Sequence, residues 1–132
     1  MRFLVDTHVI LWYLEAHPKL RKSHQRVLDT TAARGERVGL SAATLWEVAK
    51  LSEYQRIKLK GGLAQTLRFL EEHPFFEILP LSGDVALEST KLGSLFPKDP
   101  FDQIIVATAR HYELELLTAD ERILRSQAMR CR

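Results

Sequence analysis

The chain has 132 residues, of which 45% are apolar and 27% are charged. This balance is typical of one folded domain over residues 1–132 and excludes a largely disordered chain. The formal net charge of +2 is too small to indicate a nucleic-acid binder, so any basic surface must come from clustering.

The first strand is predicted over residues 3–5, because a short, continuous apolar run is typical of a strand buried on both faces of a parallel sheet. Asp6 follows this strand directly. An apolar helix from Val9 comes next and ends before Pro18. A second, strongly basic helix is predicted over residues 20–33.

The middle of the chain repeats this alternation. A second strand is predicted over residues 38–40, and a helix over residues 42–51 carries Glu47. Another helix is predicted over residues 63–72, because apolar residues recur there at helical spacing and a proline follows. A third strand is predicted over residues 76–79.

Capping residues mark the helices of the last third. Ser82 is a good N-cap for a helix over residues 84–92. Asp99 is followed by proline, and this pair opens a helix over residues 100–112 because Asp accepts amide hydrogen bonds at a cap and Pro tolerates the first helical position. That helix carries Asp102.

The chain ends with a fourth predicted strand over residues 114–118, then Asp120, and a short helix over residues 121–126. Strands and helices alternate, which predicts an α/β fold with a parallel sheet. Ligands bind to such sheets beyond the carboxyl ends of the strands. Asp6 and Asp120 both lie at strand ends.

The single cysteine and the length of the apolar run near the start of the sequence bear on where the protein is found. A single cysteine, Cys131, cannot form an intrachain disulfide, which suits a reducing compartment. The apolar run from Val9 to Leu14 is far shorter than the roughly 20 residues that a membrane span needs. We therefore expect a cytoplasmic protein.

Four acidic residues border apolar segments rather than solvated charge runs, namely Asp6, Glu47, Asp102 and Asp120. Each could instead stabilise the N-terminus of a helix, as a cap or as a first-turn acid. Glu47 lies three residues after Thr44, as in a capping box, and Asp102 lies three residues after Asp99. From spacing alone, the capping role and the site role stay open for both.

Carboxylates that converge repel one another and raise some of their pKa values, unless a cation neutralises them. A site built only from oxygen ligands favours Mg²⁺ or Mn²⁺ over zinc. If the four acids converge, we expect them to hold divalent metal ions.

Four stretches of the chain carry a family pattern: VDTHVILW (5–12), SAATLWEV (41–48), DPFDQIIVATA (99–109) and LLTAD (116–120). They resemble, in order, the motifs of the PIN-domain VapC toxins of prokaryotic toxin–antitoxin modules. The resemblance implies a PIN-like fold, with a central parallel sheet flanked by helices on both faces. It also implies a Mg²⁺- or Mn²⁺-dependent endoribonuclease that hydrolyses RNA with metal-activated water and inhibits growth.

The resemblance also assigns site residues. It places the family's catalytic, metal-binding acidic quartet at Asp6, Glu47, Asp102 and Asp120. Thr7 and Thr118 fall where the family has supporting hydroxyls, and Asp99 matches an extra acid of the subgroup, although a cap remains its simpler role. Gln103 stands where similar sequences often have arginine, which bears on substrate contacts.

RNA binding needs cations. We predict a backbone-contacting patch just beyond the helix that carries Glu47, with two further candidates elsewhere. These residues are Arg56, Lys58 and Lys60, then Lys50 and Lys98. His8 is close to Asp6 in sequence, but a histidine at a helix start more often caps, packs or faces solvent than acts in catalysis.

The resemblance further implies a homodimer and a VapB-like antitoxin as partners. Two other functions stay open. A phosphoacceptor receiver domain needs an acidic pair after the first strand and a late lysine, whereas Asp6 precedes Thr7 and His8, and residues 118–121 contain no lysine. A catalytically silent PIN-fold binding module is disfavoured because all four acids are retained.

Overall fold

A computed structural model describes all 132 residues, and a sheet of four parallel strands lies at its centre. The strands are β1 (Phe3–Val5), β2 (Val38–Ser41), β3 (Phe76–Leu79) and β4 (Glu115–Leu117). Their order across the sheet is β3-β2-β1-β4. Strand β1 is buried along its whole length, as expected for a strand with neighbours on both sides and helices on both faces.

Seven helices surround the sheet: α1 (Thr7–Glu15), α2 (Lys22–Ala33), α3 (Ala42–Glu53), α4 (Leu63–Glu72), α5 (Gly83–Ser89), α6 (Pro100–His111) and α7 (Glu121–Ser126). The helices cover both faces. Phe3 and Val5 pack in one core with residues of α1 to α4, while Leu4 packs in a second core with residues of α6 and α7. The period of two along β1 separates these cores, which confirms the predicted α/β fold.

The strand order reverses beside β1, because the chain continues from β1 to β2 on one side and reaches β4 on the other. Val5 pairs with Leu117, so β1 and β4 end at the same level. The amide of Asp6 donates to the Leu117 carbonyl at 2.9 Å. The residues that follow β1 and β4 therefore meet at the position where open α/β sheets bind ligands.

Two helix boundaries differ from those predicted. Helix α1 begins at Thr7, earlier than Val9, because Asp6 accepts a hydrogen bond from the Thr7 amide and so caps the helix. Helix α5 ends at Ser89 rather than near residue 92. There the hydroxyls of Ser89 and Thr90 donate to backbone carbonyls three residues earlier, which competes with helical pairing.

The last residues of the chain lie beside β4. Cys131 forms a parallel bridge with Leu116, and the Arg132 guanidinium pairs with Glu115 at 2.7 Å. The Nε2 atom of the buried His24 lies 2.8 Å from the Arg132 carbonyl. This segment covers part of the sheet edge, a contact that the sequence pattern did not predict. None of the helices has both the length and the apolar character needed to span a membrane.

Candidate active site

A cavity of about 660 Å³ opens at the carboxyl ends of β1 and β4. All four predicted acids line it, together with Asp99. The lining also includes basic and aromatic side chains, namely Lys19, Lys50, Arg56, Arg122, Trp12, Tyr54 and Phe101. The cavity is therefore acidic where the strands end and basic along other parts of its wall.

Asp6 is both a helix cap and a wall of the cavity. Its Oδ1 atom accepts from the Thr7 amide at 2.8 Å, and its Oδ2 atom accepts from the Thr118 hydroxyl at 2.7 Å. Asp6 is only 8% exposed. Burial raises the pKa of Asp6, and the two hydrogen bonds oppose that effect. The carboxylate is thus held in one orientation by donors from two elements.

The two predicted supporting threonines act differently. The Thr118 hydroxyl contacts an acid of the site, as its position suggested. The Thr7 hydroxyl donates instead to the Thr44 hydroxyl at 3.1 Å. Both of these threonines are completely buried, so this contact ties α1 to α3. It is the Thr7 amide that supports Asp6.

The capping-box interpretation of Thr44 and Glu47 is wrong. Helix α3 begins earlier, and its cap is Ser41, whose Oγ atom accepts from the Ala43 amide at 3.1 Å. Glu47 consequently lies beyond the first turn, where no orphan amide is available. Its carboxylate turns to the cavity instead.

Glu47 has an oxygen that no group of the protein satisfies. Its Oε1 atom is buried without a hydrogen-bond partner. Burial raises the pKa of Glu47 to about 7; the nearby Thr7 hydroxyl opposes this, and the negative charges of Asp6 and Asp99 add to it. Because an unpaired buried acceptor is costly, this oxygen is a place where a cation would be stabilising.

The sequence left a capping role and a site role open for Asp102. In the structure Asp99 is the cap, and Asp102 lines the cavity. Asp99 caps α6, because its Oδ1 atom accepts from the amides of Phe101 and Asp102 at 2.9 and 3.2 Å. The Asp102 carboxylate takes no part in that cap and is 10% exposed. Burial raises the pKa of Asp102 to about 7, and the charge of Asp99 contributes next.

Asp120 is the only one of the four acids whose pKa is lowered, because Arg122 contacts both of its oxygens. It caps α7 by accepting from the Arg122 amide at 2.8 Å. The Arg122 guanidinium contacts both of its oxygens, with Nε 3.3 Å from Oδ1 and Nη2 3.0 Å from Oδ2. Burial acts to raise the pKa of Asp120, but these hydrogen bonds outweigh it and the pKa is lowered.

Sequence reasoning missed Arg122. Its position two residues after Asp120, which caps a short helix, could have indicated the contact. An arginine at this spacing can fold back onto the capping carboxylate. The same Nη2 atom lies 3.2 Å from Asp102 Oδ2. Arg122 therefore bridges two members of the predicted quartet.

The predicted basic patch is divided in the structure. Arg56 and Lys50 line the acidic cavity, whereas Lys60 lines a separate, mostly apolar cavity. Lys58 and Lys98 do not line the acidic cavity. The three cations do not share one face, because residues 54–62 form turns and loop rather than a helix. Lys19, which the sequence did not single out, does line the cavity.

Two further predicted positions lie at the edge of the site. His8 lines the cavity, and its ring centroid is 5.8 Å from that of Trp12. The Gln103 side-chain amide donates to the Pro97 carbonyl at 3.3 Å. Gln103 is thus directed to the loop before α6 and does not contribute to the cavity wall.

The donor set fits a divalent metal ion, although no three His, Cys, Asp or Glu side chains converge closely enough to form a ready cage. The site acids offer only carboxylate oxygens, which are the ligands that Mg²⁺ and Mn²⁺ prefer. The buried Oε1 atom of Glu47 has no hydrogen-bond partner in the protein, which leaves it available to a cation. Asp6, Glu47 and Asp102 would be the ligands, while Asp120, the fourth predicted ligand, is paired with Arg122 in this structure.

The comparisons with known proteins agree with one another. The family model described as PIN domain matches residues 3–128. Ribonuclease VapC22 of Mycobacterium tuberculosis is 29% identical over 120 residues, which cover 91% of this chain and 88% of that protein.

Two solved structures extend this likeness over the whole fold. FitAcB from Neisseria gonorrhoeae is 28% identical with a TM-score of 0.69, covering 98% of this chain and 95% of that one. VapBC2 from Rickettsia felis, solved with a DNA fragment from the promoter, has a TM-score of 0.73 at 18% identity, covering 100% of this chain and 98% of that one. At that lower identity the likeness concerns the fold alone.

Proposed function

We propose that this chain, which belongs to the PIN-domain family, is a metal-dependent endoribonuclease that acts as the toxin of a toxin–antitoxin module. The observation that carries the proposal is the cavity at the ends of β1 and β4, which is lined by buried carboxylates with raised pKa values. The similarity to a protein named Ribonuclease VapC22 supports RNA as the substrate.

The chemistry required is phosphodiester hydrolysis. A Mg²⁺ or Mn²⁺ ion held by Asp6, Glu47 and Asp102 would supply a water of lowered pKa and would stabilise the charge that develops on the phosphate oxygens. Thr118 and the Thr7 amide keep Asp6 oriented toward that position. Such donors behind a metal ligand fix its orientation. Asp120, the fourth acid, would act with Arg122 at the rim.

The basic wall of the cavity is suited to the RNA backbone. Lys19 and Arg56 line it without pairing to any acid, while Lys50 pairs with Glu53 at 3.0 Å. Trp12 and Tyr54 also line the cavity, and aromatic rings give unpaired bases a surface for stacking. Of the predicted basic residues, we therefore retain Arg56 and Lys50 as RNA contacts and add Lys19.

Apolar side chains are exposed outside the cavity, and we propose that they contact protein partners. Leu14 and Phe69 are 38% and 42% exposed, and together they border two neighbouring cavities. We propose that a VapB-like antitoxin binds there. On the other side of the sheet, Leu87 and Leu95 are exposed, and we assign that surface to a homodimer contact. Size-exclusion chromatography with light scattering tests the dimer.

The experiment that tests the enzyme is cleavage of total host RNA by the purified chain. We expect cleavage with Mg²⁺ or Mn²⁺, none with EDTA, and a loss of at least about 100-fold in Asp6→Asn, because a ligand and its charge are removed. Asp84→Asn, on the exposed start of α5, is the matched control and should cut normally.

Two results would contradict the proposal. Cleavage that survives EDTA would exclude the metal-dependent chemistry. A folded wild-type protein that cuts no RNA at any metal concentration would favour the catalytically silent binding module. The chain is not a phosphoacceptor receiver domain, because the PIN domain model matches residues 3–128.

A further inference from the structure

Arg122 is the only basic residue that forms an ion pair with any acid of the predicted quartet. The other cations of the cavity wall, Lys19, Lys50 and Arg56, form no such pair. Its Nη2 atom lies 3.0 Å from Asp120 Oδ2 and 3.2 Å from Asp102 Oδ2. One guanidinium nitrogen is thus shared by carboxylates from two different helix starts.

The two carboxylates do not hold Arg122 equally. Asp120 accepts three bonds from this residue, one from the backbone amide and two from the guanidinium. Asp102 accepts only one. Asp120 is also the cap of the short helix that carries Arg122, and the fully buried Ile123 anchors this helix in the core. Loss of the Asp102 contact would therefore leave the Arg122–Asp120 pair intact.

Asp102 is a nearly buried acid of the site with other acids around it. It is 10% exposed, and the negative charges of Asp99, Asp6, Asp120 and Glu47 all bear on it. A guanidinium that contacts Asp102 Oδ2 lowers the affinity of this carboxylate for a divalent cation, since the two positive charges repel. A metal ion that binds Asp102 would therefore have to compete with Arg122.

We propose that Arg122 is a built-in counter-cation that competes with the divalent metal ion for Asp102. It stabilises Asp102 in the metal-free protein, remains anchored on Asp120 when it is displaced, and so raises the metal concentration at which the site fills. This inference rests on the proposed metal-dependent function. It assigns Asp120 to positioning Arg122 rather than to holding the metal.

The test measures Mn²⁺ binding directly, by isothermal titration calorimetry and by the fraction of free Mn²⁺ in electron paramagnetic resonance, with no RNA present. We expect Arg122→Ala to bind Mn²⁺ about three- to tenfold more tightly than wild type, as suits the loss of a partly exposed competing cation. Arg122→Gln keeps much of the side chain without its charge and should behave alike. Arg122→Lys should lie between them and wild type.

Two matched controls separate this contact from general electrostatics. Lys19→Ala removes the same charge from the cavity wall without touching an acid, and should tighten Mn²⁺ binding much less. Arg125→Ala removes an arginine of the same helix whose guanidinium contacts only the Glu121 carbonyl, and should change nothing. Thermal melts in EDTA verify that each variant is folded.

The outcomes discriminate between the two proposals. Unchanged or weaker Mn²⁺ binding in folded Arg122→Gln, or an effect no larger than that of Lys19→Ala, would overturn the role of Arg122 alone. If wild type binds no Mn²⁺ and Asp6→Asn behaves identically, the proposed metal-dependent function fails and this inference fails with it.

Discussion

At the scale of single residues, the acids of the cavity are not equivalent. Donors hold Asp6 on both oxygens, and Arg122 holds Asp120. Glu47 retains a buried oxygen without a partner. The burial that raises the pKa values of Glu47 and Asp102 to about 7 means that the metal-free protein bears a free-energy cost for ionising them.

This cost predicts how stability depends on pH. The pKa of Glu47 rises from 4.5 to about 7 on folding, so the folded state binds its proton more tightly than the unfolded state. The contribution to stability is therefore present below about pH 4.5 and is lost as the pH rises toward 7. We expect Glu47→Gln to gain about 1 kcal/mol over wild type at pH 8 in EDTA, after solvent screening.

Urea unfolding at pH 5 and pH 8 measures this difference. At pH 5 the two proteins should be nearly equal, because Glu47 is then largely protonated. Glu72→Gln, which changes an exposed glutamate of α4 without an ion pair, should show no such divergence. Equal stability of Glu47→Gln and wild type at both pH values would show that folding does not raise the pKa of Glu47.

At the scale of elements, helix starts deliver three of the four acids to the cavity. Asp6 caps α1, Asp120 caps α7, and Asp102 lies in the first turn of α6 behind its cap, Asp99. A cap position places a side chain beside the helix N-terminus, at the edge of the sheet where the strands end. Capping and site formation are therefore compatible roles of one residue rather than alternatives.

The role of Asp99 can be tested by separating its cap from its charge. Asp99→Ala removes the acceptor of two amide hydrogen bonds and should lower the free energy of unfolding by about 1 kcal/mol. Asp99→Ser keeps a capping oxygen and should lose less than half of that amount. Urea unfolding in EDTA provides the comparison, and equal losses in the two variants would mean that the charge matters rather than the cap.

At the scale of the whole molecule, the cavity combines an acidic floor, delivered by strand ends and helix starts, with a basic wall from α3 and the loops. The match of the PIN domain model to residues 3–128 confirms the family that four short motifs had suggested. Only those cations that the fold brings to the cavity can help to hold a substrate there, whatever their distance along the chain.

This arrangement predicts which cations bind RNA. In the Asp6→Asn background, which should not cut, Arg56→Ala should weaken binding of a single-stranded RNA about three- to tenfold and reduce the salt dependence by roughly one contact. Lys58→Ala, two residues away but not on the cavity wall, is the control and should have little effect. Fluorescence anisotropy at several salt concentrations measures both, and equal effects would contradict the cavity as the RNA path.

Local pattern alone determined the alternation of strands and helices, since apolar periodicity and capping residues depend on near neighbours. Asp6 and Asp120 were predicted as site residues because each follows a predicted strand directly. For Glu47 and Asp102, spacing left a cap and a site equally open, and the family motifs favoured the site. The capping box at Glu47 failed only because Ser41 begins α3 earlier.

Tertiary structure decided what no local pattern could. The bridge from Arg122 to Asp102 joins residues of different helices, and the Thr118 hydroxyl reaches Asp6 across 112 positions of the chain. The division of the basic patch, and the entry of Lys19 into the cavity, likewise depend on where loops lie relative to the sheet. Contacts between distant segments arise from the packing of whole elements, which sequence spacing does not encode residue by residue.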